Sequence, residues 1–416
     1  MKQNSYLNKR KIFNDPVYGF INITDDLVFD IIEHPYFQRL RRIQQLGLTC
    51  LVYPGATHTR FHHALGSMHL MLQALETLKT KGQCISCDEE TAAVIAILLH
   101  DIGHGPFSHT LENNIIPDVN HVMLSDLFFD RFNILYDGKL NTAINIYRDS
   151  YPLKFLHQLV SSQLDMDRLD YLKRDSYYTG VPEGIPGTER IIKMLNVHEG
   201  NLVVDAKGIY SIEKFIVARR LMYWQVYLHK TVIAAEYLLI NIIKRASMLA
   251  LKGEEVFASP PLKKFLYNKY TFEDFKNDAV LLDDFAQLDD SDLIVAIKMW
   301  INHSDKILSL LSKNLVYRHL PSVELSEKPF DKNYIDNIKN NVSNTYKIDY
   351  EDTDFFVISG TITNYAYNPE QDNIRILYPD GKVVDIIDAS EQFVAFLTDE
   401  ISRYFLFYPR IEKFNK

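Results

Sequence analysis

An apolar run, Ala92 to Leu99, ends in His100-Asp101, and Gly103, His104, Gly105 and Pro106 follow at once. Glycine favours helix ends and proline cannot continue a helix, so the run is predicted to stop where the imidazole and carboxylate stand side by side. Burying such a pair is costly unless a cation sits there. His63 upstream and Asp167 downstream complete a set of four candidate metal ligands: His63, His100, Asp101 and Asp167. Two imidazoles and two carboxylates suit a divalent transition metal (Fe, Mn, Ni or Zn), with Mg a weaker match. Such an ion would acidify a water and polarise a phosphoryl group. The competing reading is a structural histidine with a capping aspartate.

Further chemistry-bearing residues cluster nearby in the chain. His104, His109 and His121 are candidates for general acid or base work, with Glu112 close in sequence. Asp167, Tyr171 and Asp175 are spaced i, i+4, i+8, so one helix face presents all three, with Arg168 beside them. Arg219, Tyr223, Tyr227 and Lys230 fall on one stripe if the helix is continuous. A tyrosine stripe is more often core, but its two cations favour a pocket that takes an anion. His58, His62 and His69 are read as structural.

These motifs resemble the HD-domain phosphohydrolases, and within them the branch containing the SAM-and-HD-domain dNTP triphosphohydrolase and its bacterial relatives. The matching strings include Lys11-Ile-Phe-Asn-Asp-Pro, Gln45-Leu46-Gly47, Pro54-Gly55-Ala56, Arg60-Phe61-His62-His63, the run from His100 to His109, Asp165-Met-Asp-Arg-Leu-Asp-Tyr171 and Tyr227-Leu-His-Lys230. They cover about three quarters of the chain, and no SAM domain is expected before them. The resemblance implies that His63, His100, Asp101 and Asp167 bind the metal. It places Arg60, Arg168, Arg219 and Lys230 on a triphosphate, with Tyr171 and Asp175 flanking the sugar. Asp175 and Gln45 would receive its 3'-hydroxyl, and Tyr227 with Leu46 would exclude a 2'-hydroxyl. His109 would serve the leaving O5', supported by Glu112 and His121. Leu228 replaces a polar base contact of the human enzyme, which leaves base preference open. Lys11, Asp15, Glu33 and Arg41 stand where relatives bind activating nucleotides between subunits, so an activating nucleotide and a homo-oligomer, dimer or tetramer, are expected.

Composition narrows the classes. The net charge of −9 argues against a protein whose main partner is nucleic acid. No apolar run reaches the roughly 20 residues of a membrane span, and the first residues are polar, so a cytoplasmic location is expected. Cys50, Cys84 and Cys87 make no disulfide framework, and Cys84-Ile-Ser-Cys87 lacks the second pair of a zinc site.

The elements that must position these residues are mainly helical. Predicted are a short strand and turn at 11–22 and helices at 24–33, 35–46, 61–79 and 88–100, the last with Asp88 as N-cap. Arg39, Arg41 and Arg42 on the second helix are read either as a solvated face or as functional cations. Shorter helices follow at 106–113, 120–133 and 152–163, then the stretch 164–176, a hairpin at 196–208 and one long helix from Ser211 to Leu251. Residues 328–346, polar and rich in lysine and asparagine, read as a linker or exposed segment. Strands follow near 355–363, 374–378, 383–387 and 403–408, with a helix at 389–399. The expected architecture is an HD-type helical catalytic domain at 1–320 and a small α+β domain at 321–416. Two other functions stay open: a phosphohydrolase of this type acting on a nucleoside monophosphate, cyclic nucleotide or alarmone, and a catalytically weak nucleotide-sensing or nucleic-acid-binding scaffold.

Overall fold

The computed structural model describes residues 11–112, 114–364, 373–390 and 401–410, apart from the side chains of His109, Asn364 and Ile401. An antiparallel hairpin of β1 (Lys11–Asp15) and β2 (Gly19–Ile23) leads into α1 (Asp26–Glu33) and α2 (Pro35–Gln38). The helix expected to run to residue 46 stops early. A 3-10 turn covers Arg39–Arg42, and the chain is extended by Ile43. There it pairs with the segment before the next helix: Gln45 N donates to the His58 carbonyl and Arg60 N to that of Ile43, each at 3.0 Å. Pairing between distant segments has overridden local helix propensity. Arg39 is fully buried rather than solvated, and donates to the Ile102 carbonyl at 2.7 Å.

The centre is built by α3 (Arg60–Thr80), α4 (Cys87–Leu99) and, after α5 (His121–Leu135), α6 (Asn141–Tyr147) and α7 (Lys154–Val160), by α8 (Met166–Thr179). Every residue of α4 from Ala92 to Leu99 is buried, as expected for a helix that is apolar all round. Its N-cap is Ser86, not Asp88: the Ser86 hydroxyl accepts from Glu89 N while the Glu89 carboxylate accepts from Ser86 N. The helix expected at 106–113 is only a 3-10 turn, Ser108–Thr110. Gly180, with φ +73°, ends α8.

After α9 (Thr188–Met194), β3 (Leu195–His198) and β4 (Asn201–Asp205) form the expected hairpin. The single long helix expected next is two. α10 (Ile209–Met222) runs into a π turn at Tyr223–Tyr227, where Leu228 N donates to the Tyr223 carbonyl at 2.7 Å. His229 is extended and caps α11 (Lys230–Leu251) through Nδ1. The two helices meet at a bend of 55°. Among the described residues no single helix is long and apolar enough to cross a membrane.

Helices α12 (Pro260–Leu266), α13 (Phe272–Asn277), α14 (Ala279–Phe285), α15 (Asp290–Trp300) and α16 (Lys306–Val316) complete the helical body. Within the stretch read as a linker lies α17 (Lys332–Tyr346), which buries Ile338 and Val342. β5 (Ser322–Ser326) precedes it, and β6 (Ile358–Asn364), β7 (Arg375–Leu377) and β8 (Val383–Asp385) follow, then α18 (Ile386–Ala389) and β9 (Ile401–Tyr408). Most of the helix expected at 389–399 lies outside the described residues. β7 pairs in parallel with β4, which joins the late strands to the hairpin in the sheet β3-β4-β7-β8. The other sheet, β5-β9-β6, packs Ile362, Phe405 and Phe407 against Ile233 and Ala234 of α11. The fold is mainly α with small sheets. Its three cysteines are free, Cys84 and Cys87 exposed.

Gly66 sets how closely α3 meets α8. A Cβ there would stand 2.0 Å from Asp170 Oδ1 and 2.2 Å from Arg174 Nη2, both in a buried ion pair that cannot yield without losing its bonds. Gly66→Ala is expected to destabilise by about 3 kcal/mol, at the upper end for overpacking, as read from chemical denaturation midpoints.

Candidate active site

The four expected ligands come from three helix ends. His63 lies in the first turn of α3, His100 caps the C-terminus of α4 with Asp101 next to it, and Asp167 lies in the first turn of α8. His100 Nδ1 donates to the Ile97 carbonyl at 2.6 Å, and His63 Nδ1 donates to Asp170 Oδ2 at 2.7 Å. Each imidazole therefore turns its Nε2 toward the same spot. His63 Nε2 is 3.0 Å from Asp167 Oδ1 and 3.8 Å from Asp101 Oδ2. His100 Nε2 is 3.4 Å from Asp101 Oδ1 and 3.5 Å from Asp167 Oδ1. Yet both Nε2 atoms are buried without an aligned hydrogen-bond partner among the described residues. Donors about 2.1 Å from one ion sit about 3.0 Å apart at an octahedral edge and about 3.4 Å apart at a tetrahedral one. The orphaned nitrogens and these spacings fit a divalent metal.

The surroundings are charged and mostly buried. Burial alone would lower the His63 pKa, but the Asp167 and Asp170 carboxylates outweigh it and hold it up at about 10. Burial would raise the Asp101 carboxyl, but His100, His104 and Arg60 hold it well below the usual range. Arg60 Nη1 contacts Asp101 Oδ2, and its Nε donates to the Ser108 hydroxyl at 2.8 Å. His104 Nε2 is 3.5 Å from Asp101 Oδ1, and its ring stacks on His121 with centroids 3.9 Å apart. Burial and the Arg60 charge hold His104 well below its ordinary pKa. Glu112 accepts from His121 through both the backbone N and Nδ1, each at 2.8 Å. The His109 side chain lies outside the described residues.

In front of this cluster opens a cavity of about 440 Å³. Gln45, Leu46, Arg60, Arg168, Tyr171, Asp175 and Tyr227 line it, together with Asp101, His104, His121 and Asp167. Arg219 and Lys230 do not, and the stripe that grouped them breaks for a physical reason. The π turn and the extended His229 interrupt the helical register, and Lys230 begins a new helix with its side chain exposed. Arg219 stands over the Tyr223 ring, its guanidinium 5.8 Å from the centroid. Leu228 packs against the cluster of Ile362 and Phe405 instead.

Residues 60–174 match the family model of the HD domain, and residues 187–256 match that of the HD-associated region. The chain is 35% identical over 329 residues to the uncharacterized protein YwfO of Bacillus subtilis, covering 76% of this chain and 72% of that protein. The chain belongs to the HD-domain phosphohydrolases. A crystal structure of a phosphohydrolase from Bacteroides thetaiotaomicron superposes with a TM-score of 0.94 at 50% identity, covering 96% of this chain and all of that one. The deoxynucleoside triphosphate triphosphohydrolase SAMHD1 homolog of Dictyostelium discoideum is 28% identical over 275 residues, 62% of this chain and 52% of that protein.

Around the HD cluster the structure adds residues whose part the motifs did not suggest. Asp290, at the start of α15, accepts from Gln44 N and Phe107 N, each at 2.8 Å. It thereby ties the strand before the pocket to the turn at Phe107 and Ser108, two non-glycine residues at φ +54° and +51°. Such positions cost about 1–3 kcal/mol each and persist only when the surroundings enforce them. Burial pushes the Asp290 carboxyl up to about 6. Glu236 of α11 lines the pocket beside Thr110, and burial pushes its carboxyl up to about 7. An acid in an otherwise apolar stretch of helix was its only signal in sequence.

Three of the four residues expected to be regulatory, Lys11, Glu33 and Arg41, lie near one another, with the Glu33 charge acting on Arg41. Lys11 pairs with Glu33 at 2.6 Å, both half-exposed, and Arg41 lies over the Phe61 ring at 3.6 Å. Asp15 is buried and taken up by Arg174 Nη1 at 2.7 Å and by the backbone N–H groups of Val17 and Tyr18.

Two measurements test this arrangement. Asp290→Ala would leave the buried Phe107 N–H and the partly buried Gln44 N–H without acceptors, an expected loss of about 2–4 kcal/mol in unfolding free energy. In metal-free protein, the raised His63 pKa adds stability that is complete below its ordinary value of about 6.5. That stability is lost as pH rises through about 10. The melting temperature of chelator-treated wild type is thus expected to fall between pH 7 and 10.5 by more than that of His63→Gln. Metal affinity, which requires the proton to leave, should rise over the same range.

Proposed function

We propose that this HD-domain phosphohydrolase hydrolyses deoxynucleoside triphosphates at the α-phosphorus, giving a deoxynucleoside and inorganic triphosphate. One observation carries the reading: a single cavity joins the His/Asp cluster to Arg60 and Arg168 and to the hydroxyl-accepting pair Gln45 and Asp175. Relatives named as dNTP triphosphohydrolases, the SAMHD1 proteins, support the same substrate class.

His63, His100, Asp101 and Asp167 would hold a divalent transition metal, Fe, Mn, Ni or Zn, with Mg the weaker candidate. What the ion would supply is a more acidic water and positive charge opposite a phosphoryl oxygen. The remaining work falls to the chain. Arg60, anchored between Asp101 and Ser108, has little freedom and presents a fixed positive charge to the phosphates. Arg168, held by the Ser162 carbonyl at 2.6 Å, faces them from α8. Phosphoryl transfer needs such positioning and charge neutralisation more than covalent help. Tyr171 and Tyr227 wall the sugar end, with Leu46 closing the space a 2'-hydroxyl would need. His109 would protonate or steer the departing O5', with Glu112 and His121 in support. His104, kept neutral by burial and by the Arg60 charge, offers an uncharged imidazole that can accept or donate a hydrogen bond.

The test is a product assay. Purified protein is incubated with each of the four dNTPs and each candidate metal, and the inorganic product is separated. Triphosphate in equal amount to deoxynucleoside is expected. Orthophosphate or a nucleoside monophosphate would place the cleaved bond elsewhere and refute the assignment. Asp167→Asn is expected to reduce turnover at least a hundredfold, as loss of a ligand that orients the metal does.

A further inference from the structure

Asp175 turns its carboxylate to the pocket, and both its oxygens are held from behind. His58 Nε2 lies 2.7 Å from Oδ1, and the Tyr227 hydroxyl donates to Oδ2 at 2.7 Å. A carboxylate only accepts, so Nε2 carries a proton and donates it to Asp175. The His58 Nδ1 is buried and has no hydrogen-bond partner among the described residues. The ring is 1% exposed and lies flat on Tyr178, with centroids 4.4 Å apart. His58 thus leaves one nitrogen unpaired in the interior while spending the other on Asp175, an orientation that serves Asp175 rather than itself.

The same residue supports the other wall. Its carbonyl accepts from Gln45 N at 3.0 Å, which fixes where the Gln45 side chain enters the cavity. The Gln45 amide oxygen is buried and has no partner among the described residues. The amide is therefore not locked by the protein and can turn its N–H toward a ligand. A hydroxyl has one proton to give and lone pairs to accept with. Asp175 can take the proton, its two oxygens fixed in plane by His58 and Tyr227, while Gln45 donates in return.

We propose that His58 is a positioning residue: through its ring and its carbonyl it sets Asp175 and Gln45 to read a single hydroxyl, the 3'-hydroxyl of a deoxyribose. The proposal rests on the dNTP reading above. His58 touches no substrate itself, and its effect passes through the direction of the Asp175 lone pairs. A substrate lacking that hydroxyl gains nothing from His58.

The experiment compares kcat/KM for the best dNTP and for its 2',3'-dideoxy counterpart in the full-length wild type, His58→Gln and His58→Asn. Glutamine carries an N–H to about the place of Nε2, and asparagine falls short of it. Both are polar and smaller than the ring, so they load the fold alike. The expected result is that His58→Asn loses about tenfold on the dNTP, the size of one charge-assisted hydrogen bond, with the dideoxy substrate within twofold of wild type. His58→Gln should keep most of the wild-type ratio. A fall of both substrates together in His58→Asn, or an unchanged ratio, overturns the proposal and leaves the dNTP reading standing. A wild type that turns over no dNTP overturns both.

Discussion

The site depends on one buried carboxylate, Asp170. It accepts from His63 on one side and from Arg174 on the other, where Nε and Nη2 each lie 3.0 Å from its oxygens. Arg174 passes on to Asp15 of the first hairpin. All of these groups are buried, so the charges must balance within the chain Asp15–Arg174–Asp170–His63. The consequence is chemical: Nδ1 of His63 is committed to Asp170, and only Nε2 is left to face Asp101 and Asp167. The consequence for packing is that α3 and α8 must approach closely enough for the pair to form, which Gly66 permits.

A second constraint acts at the rim. The segments that carry Gln45 and His104 are irregular, and irregular backbone needs outside partners for its N–H and carbonyl groups. Asp290 supplies acceptors to Gln44 and Phe107, and Arg39 supplies a donor to Ile102. These partners come from helices far along the chain or from a short turn that would otherwise be helix. The pocket is thus polar and rigid at the cluster end, where Arg60 and Asp101 lock together. It is more aromatic at the end formed by Tyr171, Tyr223 and Tyr227. A nucleotide has the same division, charge at one end and a ring system at the other.

The sequence alone carried much of this. The apolar run of α4 and its abrupt stop were visible because helix termination by glycine and proline is local. The one-face spacing of Asp167, Tyr171 and Asp175 needed only helix geometry, and all three line the cavity. The strands expected near 355–363, 374–378, 383–387 and 403–408 are present as β6, β7, β8 and β9, whereas β5 was not expected. Local rules failed where a tertiary partner decided the outcome. Residues 39–46 have helix-forming composition, but 39–42 tighten into a 3-10 turn and 43–45 are drawn out by pairing with the segment 58–60. Residues 332–346 are polar along most of their length, and two buried apolar side chains, Ile338 and Val342, suffice to dock them as a helix.

Identity and spacing of residues along one helix were therefore determined by the sequence by itself, as were the ligand types and the positions where the backbone must turn. Which groups share the cavity was decided only by tertiary structure. The Arg219 to Lys230 stripe is a fair inference for a continuous helix. The π turn removed Lys230 from it, because a hydrogen bond shifted by one residue rotates everything that follows. His58 and Asp290 had no legible role, since their partners, Asp175 and the Gln44–Phe107 pair, stand more than a hundred residues away or are backbone groups. A carboxylate or imidazole gains meaning from what it faces, and facing is a property of the folded chain.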